Sequence, residues 1–198
     1  MRQAFLIFAL STLVAGTSFA QKTEPAPATQ APLQTPMFSA SDLAAKVPAP
    51  KPGDVRTIDG ILRGIYDVIS GPAGSRDWGR FRSMFLPQAR FTQVDRGPDG
   101  VPVVISWSVD EFVRDAGDVF AKEGFYENGI VNRPESFGKV TQVFSSYESR
   151  RSPGAKPFQR GINSIQLLND GKRWWVISIL WDFERPDNPL PARFAARQ

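Results

Sequence analysis

The sequence predicts an α+β domain, and three observations carry that prediction. Apolar residues recur at helical spacing just after residue 53 and again from Val109 to Phe120, whereas the pattern after Gly124 stays extended. The third observation is the stretch Arg160 to Asp182, RGINSIQLLNDGKRWWVISILWD, which reads as a long two-stranded hairpin apolar on both faces. A half-solvated strand would alternate apolar with polar residues. Here Trp174, Val176 and Leu180 fall on one side, while Trp175, Ile177, Ile179 and Trp181 fall on the other. Both sides of such a hairpin must be covered, one by the domain's helices and one by a second surface.

The elements follow in order. Asp54 is placed to cap a helix whose Val55, Ile58, Leu62, Ile65 and Ile69 form one buried stripe, ended by Gly71-Pro72. A shorter helix starts at Asp77 and buries Trp78, Phe81 and Phe85 before Pro87 stops it. Strand-like runs at Ala89 to Val94 and Val101 to Trp107 flank the turn-forming Gly97-Pro98-Asp99-Gly100. Ser108-Val109-Asp110-Glu111 fits a capping box and opens the third helix, with Val109, Phe112, Val113, Ala116 and Phe120 on its apolar face. Four strands complete the pattern, at about Phe125 to Arg133, Phe137 to Arg150, Phe158 to Leu168 and Arg173 to Phe183. The order is α-α-β-β-α-β-β-β-β.

Together with DWGRFRSMFLPQARFTQV at 77 to 94, SSYESR at 145 to 150 and the hairpin block, this order resembles the nuclear transport factor 2-like superfamily in its bacterial SnoaL-like branch. The resemblance covers residues 54–184. It implies a cone: a strongly curved antiparallel sheet of about six strands wrapped around three helices, with a pocket at the open end. The superfamily includes ketosteroid isomerases, dehydratases, cyclases, transport factors and proteins without a known reaction, so the fold alone assigns no activity.

Outside the domain, Arg2, the apolar run Ala4 to Ala15 and Thr17-Ser18-Phe19-Ala20 form a signal peptide over residues 1–20, with cleavage expected after Ala20. The run is short for a membrane span, so the expectation is export to the periplasm or medium with no stable membrane insertion. Residues 21–53 hold seven prolines and few large apolar residues, and read as a disordered linker. Residues 185–198 form a C-terminal tail. The chain has no cysteine, hence no disulfide, and is large enough to be held by its core. Loss of Arg2 leaves 23 of 24 basic residues against 20 acidic ones, scattered along the chain, which argues against nucleic acid as a partner.

Histidine is absent too, which removes the commonest general base and every Ser-His, Cys-His and His/Cys zinc arrangement. Carboxylate and tyrosine chemistry remains. Asp67, Glu127, Glu148 and Asp182 are the acids considered for it, and none sits in a motif that singles it out. No acids cluster at metal-ligand spacing, and no cofactor is expected. If Asp170-Gly171 is a two-residue turn, Asn163 faces Ser178 on the inward face, where the pair either lines the pocket or bonds to itself in the core. A turn with a bulge would reverse that assignment. Tyr66, Trp107, Phe112, Tyr126 and Tyr147 are candidates to line a cavity for a small apolar ligand, with Asp182 a candidate acid, although aromatics at such periodicity are core packing residues first.

On the opposite face, Ile162, Trp175, Ile177, Ile179 and Trp181 form a candidate homodimer surface, edged by Arg160 in a cation-π contact with Trp181. The alternative cover is the C-terminal tail. The leading functional expectation is a non-catalytic ligand-binding or interaction module. The alternative is a cofactor-independent isomerase, dehydratase or cyclase acting through carboxylate and tyrosine.

Overall fold

A computed structural model describes residues 39–195. The signal peptide and the first part of the linker lie outside these residues. Of two short helices, α1 (Ala40–Ala44), opened by a Ser39/Asp42 capping box, falls within the stretch read as a linker, and α2 (Pro52–Val55) begins at its end. Helix α3 (Ile58–Ile69) is capped by Thr57, whose hydroxyl accepts from the Gly60 amide. Asp54 is therefore not its cap. Its carboxylate instead takes two hydrogen bonds from Arg80, at 2.8 and 3.0 Å, and Arg80 reaches Asp67 as well. A Cβ on Gly60 would stand 2.4 Å from the Gly53 carbonyl, so glycine is what allows α2 to rest on α3.

Helix α4 (Trp78–Ser83) starts at the expected cap, Asp77, but ends before Phe85. Phe85 opens β1 (Phe85–Arg96), which passes through Pro87 with a register irregularity between Phe85 and Arg90. Proline there interrupts a ladder and not a helix. After β2 (Pro102–Ser108), the Ser108/Glu111 capping box opens α5 (Val109–Phe120) as the sequence indicates. Four strands follow: β3 (Tyr126–Phe137), β4 (Val140–Arg150), β5 (Gln159–Asn169) and β6 (Trp174–Phe183).

The six strands form one curled, unclosed sheet in the order β2-β1-β6-β5-β4-β3. Adjacent pairs are antiparallel except β1 with β6, which is parallel, a departure from the all-antiparallel sheet expected. The last strand thus inserts beside the first, and the helices cover the concave side. Ile61, Leu62, Ile65 and Ile69 of α3, Phe81 of α4 and Val113 of α5 pack there against Phe85, Val143, Ile165, Leu167 and Val176. Burial of each such side chain is worth roughly 1.5–3 kcal/mol. Phe91 and Phe112 stack at 4.4 Å between centroids, anchoring α5 to β1.

The β5–β6 hairpin corrects the sequence reading. Asn169 pairs with Trp174, so the turn comprises the four residues 170–173, with the Asp170 carboxylate accepting from the Lys172 and Arg173 amides. Leu167 then pairs with Val176 but Gln166 with Ser178, which leaves Ile177 as an extra residue in β6. This bulge shifts the alternation by one residue. Val176 before it and Ile179 and Trp181 after it all face inward. The strand looks two-faced in sequence because its phase changes midway.

The candidate dimer surface therefore does not exist as one patch. Ile179 and Trp181 lie inside. Trp175 is fully buried beneath the Arg173 guanidinium, 3.7 Å from its ring, and its indole donates to Asp170. Arg160 pairs with Glu184 and not with Trp181, Ile177 sits at the bulge, and Ile162 borders a crevice shared with Asn188 to Pro191. The tail packs on this outer face: Arg133 donates to the Arg193 carbonyl, Ser146 donates to the Phe194 carbonyl, and the Phe194 ring meets Phe144 at 6.0 Å.

Candidate functional site

Between the sheet's concave face and helices α3 to α5 lies a cavity of about 320 Å³. Its rim carries the exposed Asp115 and Val119 of α5 and the ring pair Trp107–Trp181, stacked at 5.9 Å and 7°. Asp115 is held at the rim by Arg114 and by the Trp107 indole, which donates to it at 2.9 Å. Its walls include Phe91, Phe112, Phe120 and Phe125, and its polar floor is Glu127, Tyr147 and Asn163. Among the described residues, two carboxylates but no lysine or arginine line it.

Glu127 is placed by two anchors. Its amide donates to Ser70 Oγ at 2.9 Å, and the neighbouring Gly71–Phe125 bridge ties the end of α3 to the start of β3. Register sets Glu127 opposite Ser149 of β4, whose hydroxyl donates to Oε2 at 2.8 Å. Asn163 of β5 lines the same floor and likewise favours the charged carboxylate. Enclosure outweighs these donors and pushes the carboxyl up to about 7, so near neutral pH it exists in both protonation states.

Behind the floor, Asn163 Nδ2 donates to the Tyr66 hydroxyl at 3.2 Å. Ser145 Oγ donates to Asn132 Oδ1 at 2.6 Å, so the 2.5 Å contact between the two hydroxyls has Tyr66 donating to Ser145. Tyr147 stands over Gly161, where a Cβ would come within 2.6 Å of the phenol oxygen; glycine makes room for that ring. Burial first, and the Glu127 charge next, push both phenols above their ordinary range, so each stays protonated at neutral pH.

Of the residues singled out in the sequence, Trp107, Phe112, Tyr147 and Asn163 line this cavity. Tyr66 stands behind it, joined through Asn163. Tyr126 lines a separate depression with Arg150 and Pro153. Ser178 is on the outer face, donating to Gln166 and not to Asn163, and Asp182 is also outside, paired with Arg185. Among the acids, Asp67 pairs with Arg80 and Glu148 with Arg150, which leaves Glu127 at the floor. Phe91, Phe120 and Phe125 were missed as lining because their spacing is that of ordinary core residues. Among the described residues no cluster of acids forms a metal site, and no helix is long and apolar enough to cross a membrane.

The architecture defines a class, an α+β cone whose curled sheet and helices enclose an aromatic cavity. No protein-family model matches the chain, and no curated protein matches it. Among solved structures it is similar to a protein of unknown function with a cystatin-like fold from Nostoc punctiforme, at 9% identity and TM-score 0.49, covering 69% of this chain and 98% of that one. An NTF2-like protein of unknown function from Silicibacter pomeroyi is 12% identical with TM-score 0.45, covering 64% and 92%. A proposed ketosteroid isomerase from Parabacteroides distasonis is 9% identical with TM-score 0.47, covering 68% and 98%. NTF2-like proteins, the superfamily the sequence resembles, are thus among the structures similar to this chain.

Proposed function

We propose that the cavity takes a small, apolar, uncharged molecule and that Glu127 exchanges a proton with it, the second of the two readings the sequence left open. One observation carries this: among the described residues Glu127 is the only acid on the cavity floor, it lies there beside Tyr147, and desolvation raises its carboxyl to about 7. A general base works best when its pKa lies near the working pH. The aromatic walls favour an apolar ligand, and anions are disfavoured because among the described residues they would meet two carboxylates and no counter-charge.

The chemistry this supports is proton abstraction next to a carbonyl. Glu127 takes the proton from carbon, the C–H electron pair moves into the carbon–carbon bond, and the carbonyl π pair moves onto oxygen. Tyr147, protonated and at the same floor, donates a hydrogen bond to the oxyanion that develops. Return of the proton to another carbon completes an isomerisation. The test follows hydrogen–deuterium exchange next to the carbonyl of small cyclic ketones, such as 2-cyclohexenone, by proton NMR in D2O. Wild type should accelerate exchange, and Glu127→Gln should lose about 100-fold or more. Equal rates for the two proteins would sink the reading, while ligand binding without exchange would return the site to a non-catalytic carrier.

We further propose that the chain is exported and cleaved after Ala20, supported by the apolar run and the small residues that follow it. N-terminal sequencing of exported protein should read Gln21 first, and a membrane-bound product retaining Met1 would refute it.

A further inference from the structure

Glu127 borders two spaces. Besides the aromatic cavity, it lines a groove on the other side, between α3 and β3, together with Tyr66, Asp67, Arg80, Asn128 and Asn132. The two differ in chemistry. The cavity is walled by phenylalanine, isoleucine and tryptophan, whereas the groove carries the Asp54–Arg80–Asp67 ion cluster and amide side chains, surfaces that hold water. A chain of hydrogen bonds crosses the partition between them. Asn163 at the cavity floor donates to Tyr66, Tyr66 to Ser145 and Ser145 to Asn132, and Tyr66 and Asn132 border the groove.

We infer that water and protons reach Glu127 from the α3–β3 groove, while the organic ligand enters past Trp107 and Trp181. An apolar ligand filling the cavity displaces water from that side, which would cut a one-sided carboxyl off from its proton source. A second approach lets Glu127 recover its starting protonation with ligand or product still in place. This rests on the reading of Glu127 as the proton-exchanging group.

The experiment is a carboxyl carbon-13 NMR titration of the full chain, with the Glu127 resonance assigned by its loss in Glu127→Gln. Asn128→Phe and Gly53→Phe narrow the groove from two walls; Asn128 is exposed, and a Cβ on Gly53 meets nothing within 4 Å. Val119→Trp, at an exposed rim position, and Ala116→Trp narrow the cavity side. Circular dichroism confirms folding, and either member of each pair suffices. The groove variants should raise the Glu127 midpoint, because loss of water there penalises the charged form, while the rim variants leave it near the wild-type value. A midpoint that responds to the rim variants as much as or more than to the groove variants overturns the inference and leaves the proton-transfer reading standing. A wild-type Glu127 that does not titrate near neutrality removes that reading and this inference with it.

Discussion

Glu127 and Tyr66 are where single residues matter most. The Glu127 carboxyl has its ordinary value when unfolded and about 7 when folded, so folding favours its protonated form. Its favourable contribution is complete below about pH 4.5 and is lost as pH rises to about 7, a change on the order of 3 kcal/mol. Urea titrations across that window should show wild-type stability falling relative to Glu127→Gln, and parallel curves would contradict the assignment. Tyr66→Phe should cost about 1–3 kcal/mol, because it strands the Asn163 amide and leaves Ser145 without its donor at a buried position. Neither role could be read from local sequence. Glu127 acquires its environment from Ser70, Ser149 and Asn163, three residues on three other elements.

Elements were more legible than their phases. Helix α5 was readable because a capping box and a 3.6-residue stripe are local, and Ser108→Ala should cost about 1 kcal/mol in thermal unfolding, with the helix register unchanged. Helix α3 was readable in its stripe but not in its start, since Thr57 and Asp54 are both good caps and only the pairing of Asp54 with Arg80 decides between them. In β6 the composition declared a strand correctly, yet the bulge at Ile177 inverted every facing beyond it. Deleting Ile177 should test that. Restored regular alternation would turn Trp181 outward or force the turn to slip, and a loss of several kcal/mol is expected in either case.

At the scale of the whole molecule, the question is what covers the outer sheet face. Residues 184–195 lie on it, with Phe194 4% exposed and the Phe194 carbonyl bonded to Ser146. Phe194→Ala should cost about 3 kcal/mol by denaturant titration. Removing residues 185–198 should bare the face around Phe144 and Ile162 and promote aggregation, measurable by light scattering. If the truncated protein stays as soluble and as stable as the full chain, the tail does not act as the cover. A homodimer remains a proposal, and light scattering at tens of micromolar decides it.

By itself the sequence determined the α+β class, the alternation of helices and strands and the exclusion of histidine and cysteine chemistry, and it put Trp107, Phe112, Tyr147 and Asn163 among eight candidates for a pocket without separating them from the core. These are carried by composition and by spacing within a dozen residues, where caps and periodicity act. The tertiary structure alone decided which acid lies on the cavity floor, which hairpin face turns inward and what lies on the other. The cavity floor draws Glu127, Tyr147 and Asn163 from three strands, and the cover comes from a tail that meets the sheet far along the chain. Such contacts depend on register and on the curl of the sheet, and a one-residue bulge, invisible in hydropathy, is enough to exchange the two faces.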